Sequence, residues 1–373
     1  MPSARPPALP GDPVSAIRTP ALIVDLDAFE ANIARMRAFV QDSGLRLRAH
    51  AKTHKSADIA RIQMRDGGAC GVCCQKVSEA EALVEAGVTD ILVSNEITGT
   101  ARAEALARLA ERARIGVCVD SLEGVAELAA ATAHHDTELS VLVEVDVGAG
   151  RCGVAPGAAA VPLARAIAAA PGLIFGGLQA YQGSLQHIAD PAARAAAAKA
   201  AAQATRDTLK ALHAEGFDCA TVGGAGTGSF RLDSGLGQVN ELQCGSYIFM
   251  DADYDRIEEI GGGRPGGMEN ALFILTEVMS TAVPGKAVCD AGLKAMSLDS
   301  GLPRLDAEGL SYLVASDEHG EIADPDDRLA RGDRLRLVPG HCDPTCNLYD
   351  HYVAVRGDTV EAIWPVTARG CLW

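Results

Sequence analysis

The 373-residue sequence has no apolar run near the roughly 20 residues that cross a membrane. It also lacks a basic surplus. Its 33 Lys and Arg stand against 49 Asp and Glu, a net charge of −16, which argues against nucleic acid as a partner. Met1 to Pro13 is Pro-rich and has no long apolar core, so residues 1–17 are expected to form a loose arm rather than a secretory signal. No second cysteine pair at finger spacing accompanies Cys70-x-x-Cys73-Cys74, and these thiols read as buried small hydrophobes. Eleven cysteines are spread through strand-like segments of a large chain. Without an export signal, that usage points to a reduced, cytoplasmic protein rather than a disulfide scaffold.

What is present alternates. Short apolar, often β-branched runs around Leu45, Gly71, Ile91, Ile115, Leu142, Leu173, Ala220 and Leu242 are separated by Ala-, Leu- and Glu-rich stretches. Such runs suit strands covered on both faces. Asp27 with Glu30, Ser78 with Glu81, and Asp120 with Glu123 are spaced as helix capping boxes. From Leu45 to Phe249 the pattern gives about eight strand–helix units, the number that closes a (β/α)8 TIM-type barrel. After Gly261 to Gly267, a linker-like break, short β-like runs dominate. The expected fold is therefore α/β, with a barrel over residues 18–260 and a second, mainly β domain over residues 261–373.

The chemistry-bearing residues fall near expected strand ends, where barrel enzymes work. Lys52 lies in the run Arg48-Ala49-His50-Ala51-Lys52-Thr53-His54-Lys55. If the strand continues, His50 and His54 share its face, and polarity with desolvation would make the amine nucleophilic enough for a Schiff base. Arg151 sits in a Gly-rich turn, Tyr181 follows the next strand, and His187 comes soon after. Gly223 to Ser229 is a backbone-exposing loop that suits a phosphate, without the Lys of a Walker A motif. Gly245 and Ser246 offer further backbone donors. A phosphate site, a reactive lysine and an aromatic face together describe a pyridoxal phosphate site. His341-Cys342-Asp343 is a two-ligand site for a divalent cation, and a His-x-Asp pair on one strand would point to one face.

These motifs carry a resemblance. Thr19 to Asp25, His50 to Lys55, Cys73 to Glu79, Val145 to Gly153, Gly224 to Ser229, Gln243 to Tyr247, Met250 to Tyr254, Asp290 to Lys294 and His341 to Thr345 resemble the D-threonine aldolase / D-serine dehydratase family. This is the alanine-racemase-like, fold-type III branch of pyridoxal phosphate enzymes. The likeness runs over nearly the whole chain after Ile17. Asp299 to Pro303 and Gly340 to Cys346 are similar to the 3-hydroxy-D-aspartate aldolases within it.

The resemblance implies roles. Lys52 would hold the cofactor, Arg151 would face its phenolic oxygen and Tyr181 would pack by its ring. Gln243 would stand at the pyridine nitrogen, where alanine racemase has an arginine. Gln75, Thr227, Gly245, Ser246 and Tyr254 would bind the cofactor, chiefly its phosphate. His341 and Asp343 would hold a cation in the C-terminal domain, and the hard Asp oxygen suits magnesium or manganese. His187 would be the base at the substrate hydroxyl. The implied reaction is metal-assisted aldol cleavage of a β-hydroxy-D-amino acid, 3-hydroxy-D-aspartate or D-threonine, by a homodimer. Competing expectations are a D-serine dehydratase-like ammonia-lyase, in which the dehydratases look to pair His-x-Cys with zinc, a racemase, and a non-enzymatic pyridoxal-phosphate-binding protein.

Overall fold

The computed structural model describes residues 5–373. The first strand, β1 (Ala21–Asp25), precedes the barrel. Eight parallel strands then close on themselves: β2 (Arg46–His50), β3 (Gly71–Cys74), β4 (Asp90–Glu96), β5 (Arg114–Val119), β6 (Leu139–Glu144), β7 (Leu173–Gln179), β8 (Thr221–Gly224) and β9 (Glu241–Leu242). The expected TIM-type barrel is thus present, followed by a second, mainly β domain.

Strand alternation explains how the barrel is filled. Side chains pointing outward, among them Val72, Ile91, Val93, Val117, Val141 and Val143, join the large apolar core under the surrounding helices. Cys73, Leu92, Cys118 and Leu142 form a separate small cluster, as the opposite face of the same period-2 strands requires. Arg48 joins the ends of this layer: its Nη1 donates to Asp90 at 2.5 Å and its Nε to Glu241 at 3.0 Å. Cys73 and Cys74 are buried as expected, whereas Cys70 is exposed.

The remaining strands are β10 (Leu272–Val283), β11 (Lys286–Cys289), β12 (Arg304–Leu305), β13 (Ser311–Ala315), β14 (Gly320–Ala323), β15 (Arg334–Val338), β16 (His351–Arg356) and β17 (Thr359–Pro365). Their nine-stranded sheet runs β13-β14-β11-β10-β1-β16-β17, with β15 on β10 and β12 on β15. The expected division at residue 18 is corrected here. β1 lies in the second sheet, antiparallel to β10 and parallel to β16, because Ile23 buries against Phe273, Val338 and Val353. The expected loose arm is docked from residue 5 onward. Gly11 N–H donates to Val360 O at 2.8 Å, Val14 N–H donates to Asp358 O at 3.0 Å, and Ala8 and Ile17 are buried.

The helix starts lie slightly off the expected caps. Asp25, not Asp27, accepts the first free N–H groups of the helix Leu26–Ser43. Ser121, one residue past Asp120, caps Leu122–His135. Ser78 lies inside its helix and donates instead to Trp373 O at 2.6 Å, while Glu79 accepts from the backbone of Gln75 and Lys76.

Replacing Arg48 with Met leaves the Glu241 carboxylate, 2 % exposed, with only the more distant Arg46 guanidinium at 3.5 Å. Removing one partner of a buried pair costs about 3–5 kcal/mol, so thermal or denaturant unfolding should show a loss of that order. Adding Glu241→Gln should restore part of it, and an unchanged melting curve for Arg48→Met would show that the Arg48–Glu241 pair does not stabilise the barrel.

Candidate active site

At the C-terminal ends of the barrel strands lies a cavity of about 530 Å³, lined by His50, Lys52, Gln75, Arg151, Tyr181, His187 and Gln243 together with Ser94, Gln179 and Ser184. Six of the expected site residues therefore meet on one surface. β2 ends at His50, and the chain turns through residues 51–54, which swings Lys52 over the cavity. Its side chain is 38 % exposed. Its Nζ donates to Asp343 Oδ2. Burial opposes a charge there, but the charge and hydrogen bond of Asp343 outweigh it and hold the ammonium above its usual range. Lys52 in turn holds Asp343 well below the carboxylate range despite burial.

The turn removes His54 from the site. Its ring is fully buried and 3.1 Å from Gln63 Oε1, so the expectation that both histidines flank Lys52 holds for His50 alone. His50 Nε2 lies 3.1 Å from Ser94 Oγ, Ser94 donates to Cys74 O at 3.3 Å, and His50 Nδ1 accepts from Lys52 N–H at 3.4 Å. His50 Nε2 also lies 3.0 Å from the amide donor Gln75 Nε2, so that nitrogen faces both an amide and a hydroxyl. Burial first, then Lys52, lowers the His50 pKa well below the usual value and keeps the ring neutral.

His187 stands across the cavity. Its Nδ1–H donates to Asp253 Oδ2 at 2.5 Å, which leaves Nε2 free. Desolvation lowers its pKa, with Arg256 and Lys52 adding to the effect against Asp251. Deeper in the site, Gln243 and Gln179 exchange reciprocal amide hydrogen bonds at 2.7 and 2.9 Å. A Cβ on Gly223 would lie 2.3 Å from Gln243 Nε2, so only glycine lets the strand pass beneath this pair.

Gly245, Ser246, Thr227 and Tyr254 do not line the main cavity. Gly245 backs the Lys52 turn, where a Cβ would meet Thr53 Oγ1 at 2.4 Å. Ser246 is buried beside it, and the buried Tyr254 ring is centred 6.1 Å from that of His187. Thr227 lines a smaller cavity of about 250 Å³ with Gly228 and Ser229. The Gly223–Ser229 loop spends some of its donors internally, Gly228 N–H on Gln186 Oε1 and Gly226 N–H on Ser229 Oγ. Even so, the Oγ1 atoms of Thr53 and Thr227 are buried without a hydrogen-bond partner among the described residues. Orphaned hydroxyls, a Cβ-free cradle and a cavity lysine fit a phosphorylated carbonyl cofactor.

His341 and Asp343 are not on a strand. Asp343 lies in the short helix Cys342–Cys346, and His341 precedes it in extended conformation. They remain neighbours, since His341 helps to lower Asp343. His341 Nδ1 donates to Asp299 Oδ2 at 2.7 Å, so Nε2 is the atom left for a cation. Cys342 is fully buried, its thiol directed to Asp343 Oδ1 at 3.4 Å and its N–H to Asp251.

The family described as "Alanine racemase, N-terminal domain" matches residues 24–253, and "Putative serine dehydratase domain" matches residues 271–355. The chain belongs to this two-part family. Its members depend on pyridoxal phosphate. A 3-hydroxy-D-aspartate aldolase of Paracoccus denitrificans (strain Pd 1222) is 53 % identical over 98 % of this chain and 95 % of its own length. A D-threonine aldolase of an Arthrobacter species is 45 % identical, over 98 % of this chain and 96 % of its own. The crystal structure of D-threonine aldolase from Filomicrobium marinum superposes with a TM-score of 0.96 at 49 % identity, covering 98 % of this chain and all of that one.

Sequence reasoning missed Asp253, Asp299, Gln179 and Ser94. The first two lie inside motifs already singled out, Met250 to Tyr254 and Asp299 to Pro303. Gln179 and Ser94 carry no comparable signal.

Borohydride reduction of the pyridoxal phosphate-loaded chain should label Lys52 on peptide mapping. Lys55 is engaged with Glu79 at 2.7 Å, and Lys294 is a surface residue paired with Glu318. A label on either would contradict the site.

Proposed function

We propose that this chain is a carbon–carbon lyase that cleaves β-hydroxy-D-amino acids, with 3-hydroxy-D-aspartate going to glycine and glyoxylate. The named activities of its relatives support the aldolase reading. The observation that carries it is the contact of Lys52 with Asp343. It sets the amine that would hold the cofactor beside the carboxylate that would hold a cation at the substrate's β-oxygen.

Lys52 would hold pyridoxal phosphate, with Arg151 at its phenolic oxygen, Tyr181 by its ring, Gln243 at its pyridine nitrogen and Gln75, Thr227, Gly245, Ser246 and Tyr254 around it. His341 and Asp343 would hold magnesium or manganese. When bound, the cofactor supplies a sink for the electron pair of the breaking Cα–Cβ bond, and the cation steadies negative charge on the β-oxygen. The chain supplies the base. Asp253 fixes the tautomer of His187, so its Nε2 is the atom that takes the β-hydroxyl proton. The lowered pKa keeps that nitrogen unprotonated at neutral pH. The neutral Gln179–Gln243 pair places an uncharged amide, rather than a guanidinium, at the floor. His50, also neutral, adds no second positive charge beside Lys52.

Geometry also supports this reading over a dehydratase using a zinc thiolate: Cys342 is fully buried, whereas Asp343 reaches Lys52 at the cavity. The chain is further proposed to act as a cytoplasmic homodimer. Its eleven cysteines are free thiols, which suits a reducing compartment, and Met279, Val283, Leu313 and Val314 expose apolar surface on the second domain's strands. No helix among the described residues is long and apolar enough to cross a membrane.

Incubation with 3-hydroxy-D-aspartate, D-threonine and D-serine decides the reaction. Glycine with glyoxylate or acetaldehyde is expected from the first two, and little ammonia from any. Ammonia as the dominant product would overturn the aldolase reading. Asp343→Ala should abolish turnover while the bound cofactor keeps its colour; loss of colour with turnover would show that cofactor and cation sites are inseparable.

His187→Ala should reduce kcat by roughly 10²- to 10⁴-fold, the usual worth of a general base. In the unmodified enzyme the acid limb of the rate profile should lie below the ordinary histidine value of about 6.5, because the folded-state pKa is depressed and activity is lost only when His187 gains its proton. An acid limb above that value, or one that survives in His187→Ala, would assign the base elsewhere.

A further inference from the structure

His187 ends a single helical turn, Ser184–His187, between β7 and the helix Pro191–Ala214. Half of its side chain is exposed, so packing alone does not fix the imidazole. Its backbone is anchored on both sides. Before it comes Gln186, 1 % exposed. The Gln186 Oε1 accepts Gly228 N–H at 2.9 Å and its Nε2 donates to Ser229 Oγ at 2.8 Å, which pins the turn to the Gly223–Ser229 loop. After it comes a contact with Arg194.

Asp190 caps the helix and Pro191 opens it. Arg194 therefore falls near the helix start, where long side chains lean back over the preceding chain. It is 2 % exposed, the largest of the fully buried side chains. A buried cation is costly without an anionic partner, and near a helix N-terminus it also opposes the helix dipole. Yet its hydrogen bonds end on carbonyls. Nη1 donates to Ile188 O at 2.6 Å and to Ala189 O at 3.3 Å, and Nη2 donates to Glu258 O. Packing alone would be served by an apolar side chain of similar volume. The guanidinium adds a rigid, planar fork that holds two stretches of backbone in one geometry.

Those two stretches carry the base and the acid that orients it. Ile188 follows His187 directly. Glu258 lies just past the turn Tyr254–Arg256, which Asp253 precedes, and Asp253 Oδ2 receives the His187 ring. We propose that Arg194 is a positioning residue. It clamps the carbonyls behind His187 to the carbonyl behind Asp253, and so sets where the imidazole meets both its acid and the substrate hydroxyl. This rests on the reading of His187 as the base. A reacting group displaced by about 1 Å can cost about a hundredfold in rate.

The test is a double-mutant cycle in the full-length enzyme loaded with pyridoxal phosphate and magnesium or manganese. Arg194→Met should lower kcat by roughly ten- to a hundredfold, while cofactor affinity, read from absorbance, stays near that of the wild type. Arg194→Lys keeps the charge without the fork and should recover only part of the rate. Because the clamp acts through His187, adding Arg194→Met to His187→Ala should cause no further loss. Losses that multiply, or wild-type kcat in Arg194→Met, overturn the clamp and leave the base reading intact. Wild-type kcat in His187→Ala removes the base reading, and the clamp with it. If Arg194→Met does not fold, Arg194→Lys takes its place in the cycle.

Amide hydrogen exchange of the cofactor-free chain reads the clamp without turnover. Residues 184–190 and 254–259 should exchange faster in either Arg194 variant while the barrel strands keep their protection. Unchanged exchange in both segments overturns the proposal.

Discussion

The contact between Lys52 and Asp343 ties the chemistry to the docking of two domains. The lysine comes from the first turn of the barrel and the aspartate from a five-residue helix of the second domain. Nothing in either domain alone places them together. Their meeting depends on the seam around them: Tyr352 Oη donates to His54 O at 2.6 Å, Cys342 N–H to Asp251 at 2.8 Å, and Ala368 N–H to Lys55 O at 2.8 Å. These bonds are buried or end on backbone groups, where a lost partner costs more than a surface ion pair. The seam can therefore hold Lys52 and Asp343 in fixed register while the Lys52 side chain remains accessible.

Around that contact the site limits its own positive charge. Lys52, Arg151 and His187 already converge on one cavity. Burial keeps His50 neutral, desolvation lowers His187, and the floor is a pair of amides. Each choice keeps further positive charge out of the cavity that Lys52 and Arg151 already line. The same economy explains why Asp253 serves two cations, receiving both the His187 ring and the Arg256 guanidinium.

The parts of the site legible in the sequence are those carried on contiguous motifs. Lys52, Arg151, Tyr181 and His341-x-Asp343 each announce themselves within a few residues. What failed to show depended on backbone direction or on distant partners. His54 was expected beside Lys52 because strand alternation would put it there, but the strand stops at His50 and the turn buries the ring. His341 and Asp343 were expected on a strand, and a helical turn brings them close by a different geometry. Asp253 meets a histidine 66 residues away, and Gln243 an amide 64 residues away. No local pattern encodes such pairs. The barrel was legible for the opposite reason, since its strands pair with sequence neighbours.

β1 breaks that neighbour rule, and the consequence falls on biosynthesis. Its partner β16 is separated from it by more than 300 residues. At ribosomal speeds of about 5–20 residues per second, β1 waits of the order of tens of seconds for the chain that will pair with it. The barrel strands emerge in order and can close while Ala21-Leu22-Ile23-Val24 still lacks its sheet. During that interval the nascent protein carries an unpaired, apolar strand ahead of the barrel, the kind of segment that chaperones recognise and that foreign edges capture. The last strands complete the catalytic seam and, by the same act, retire that exposed strand.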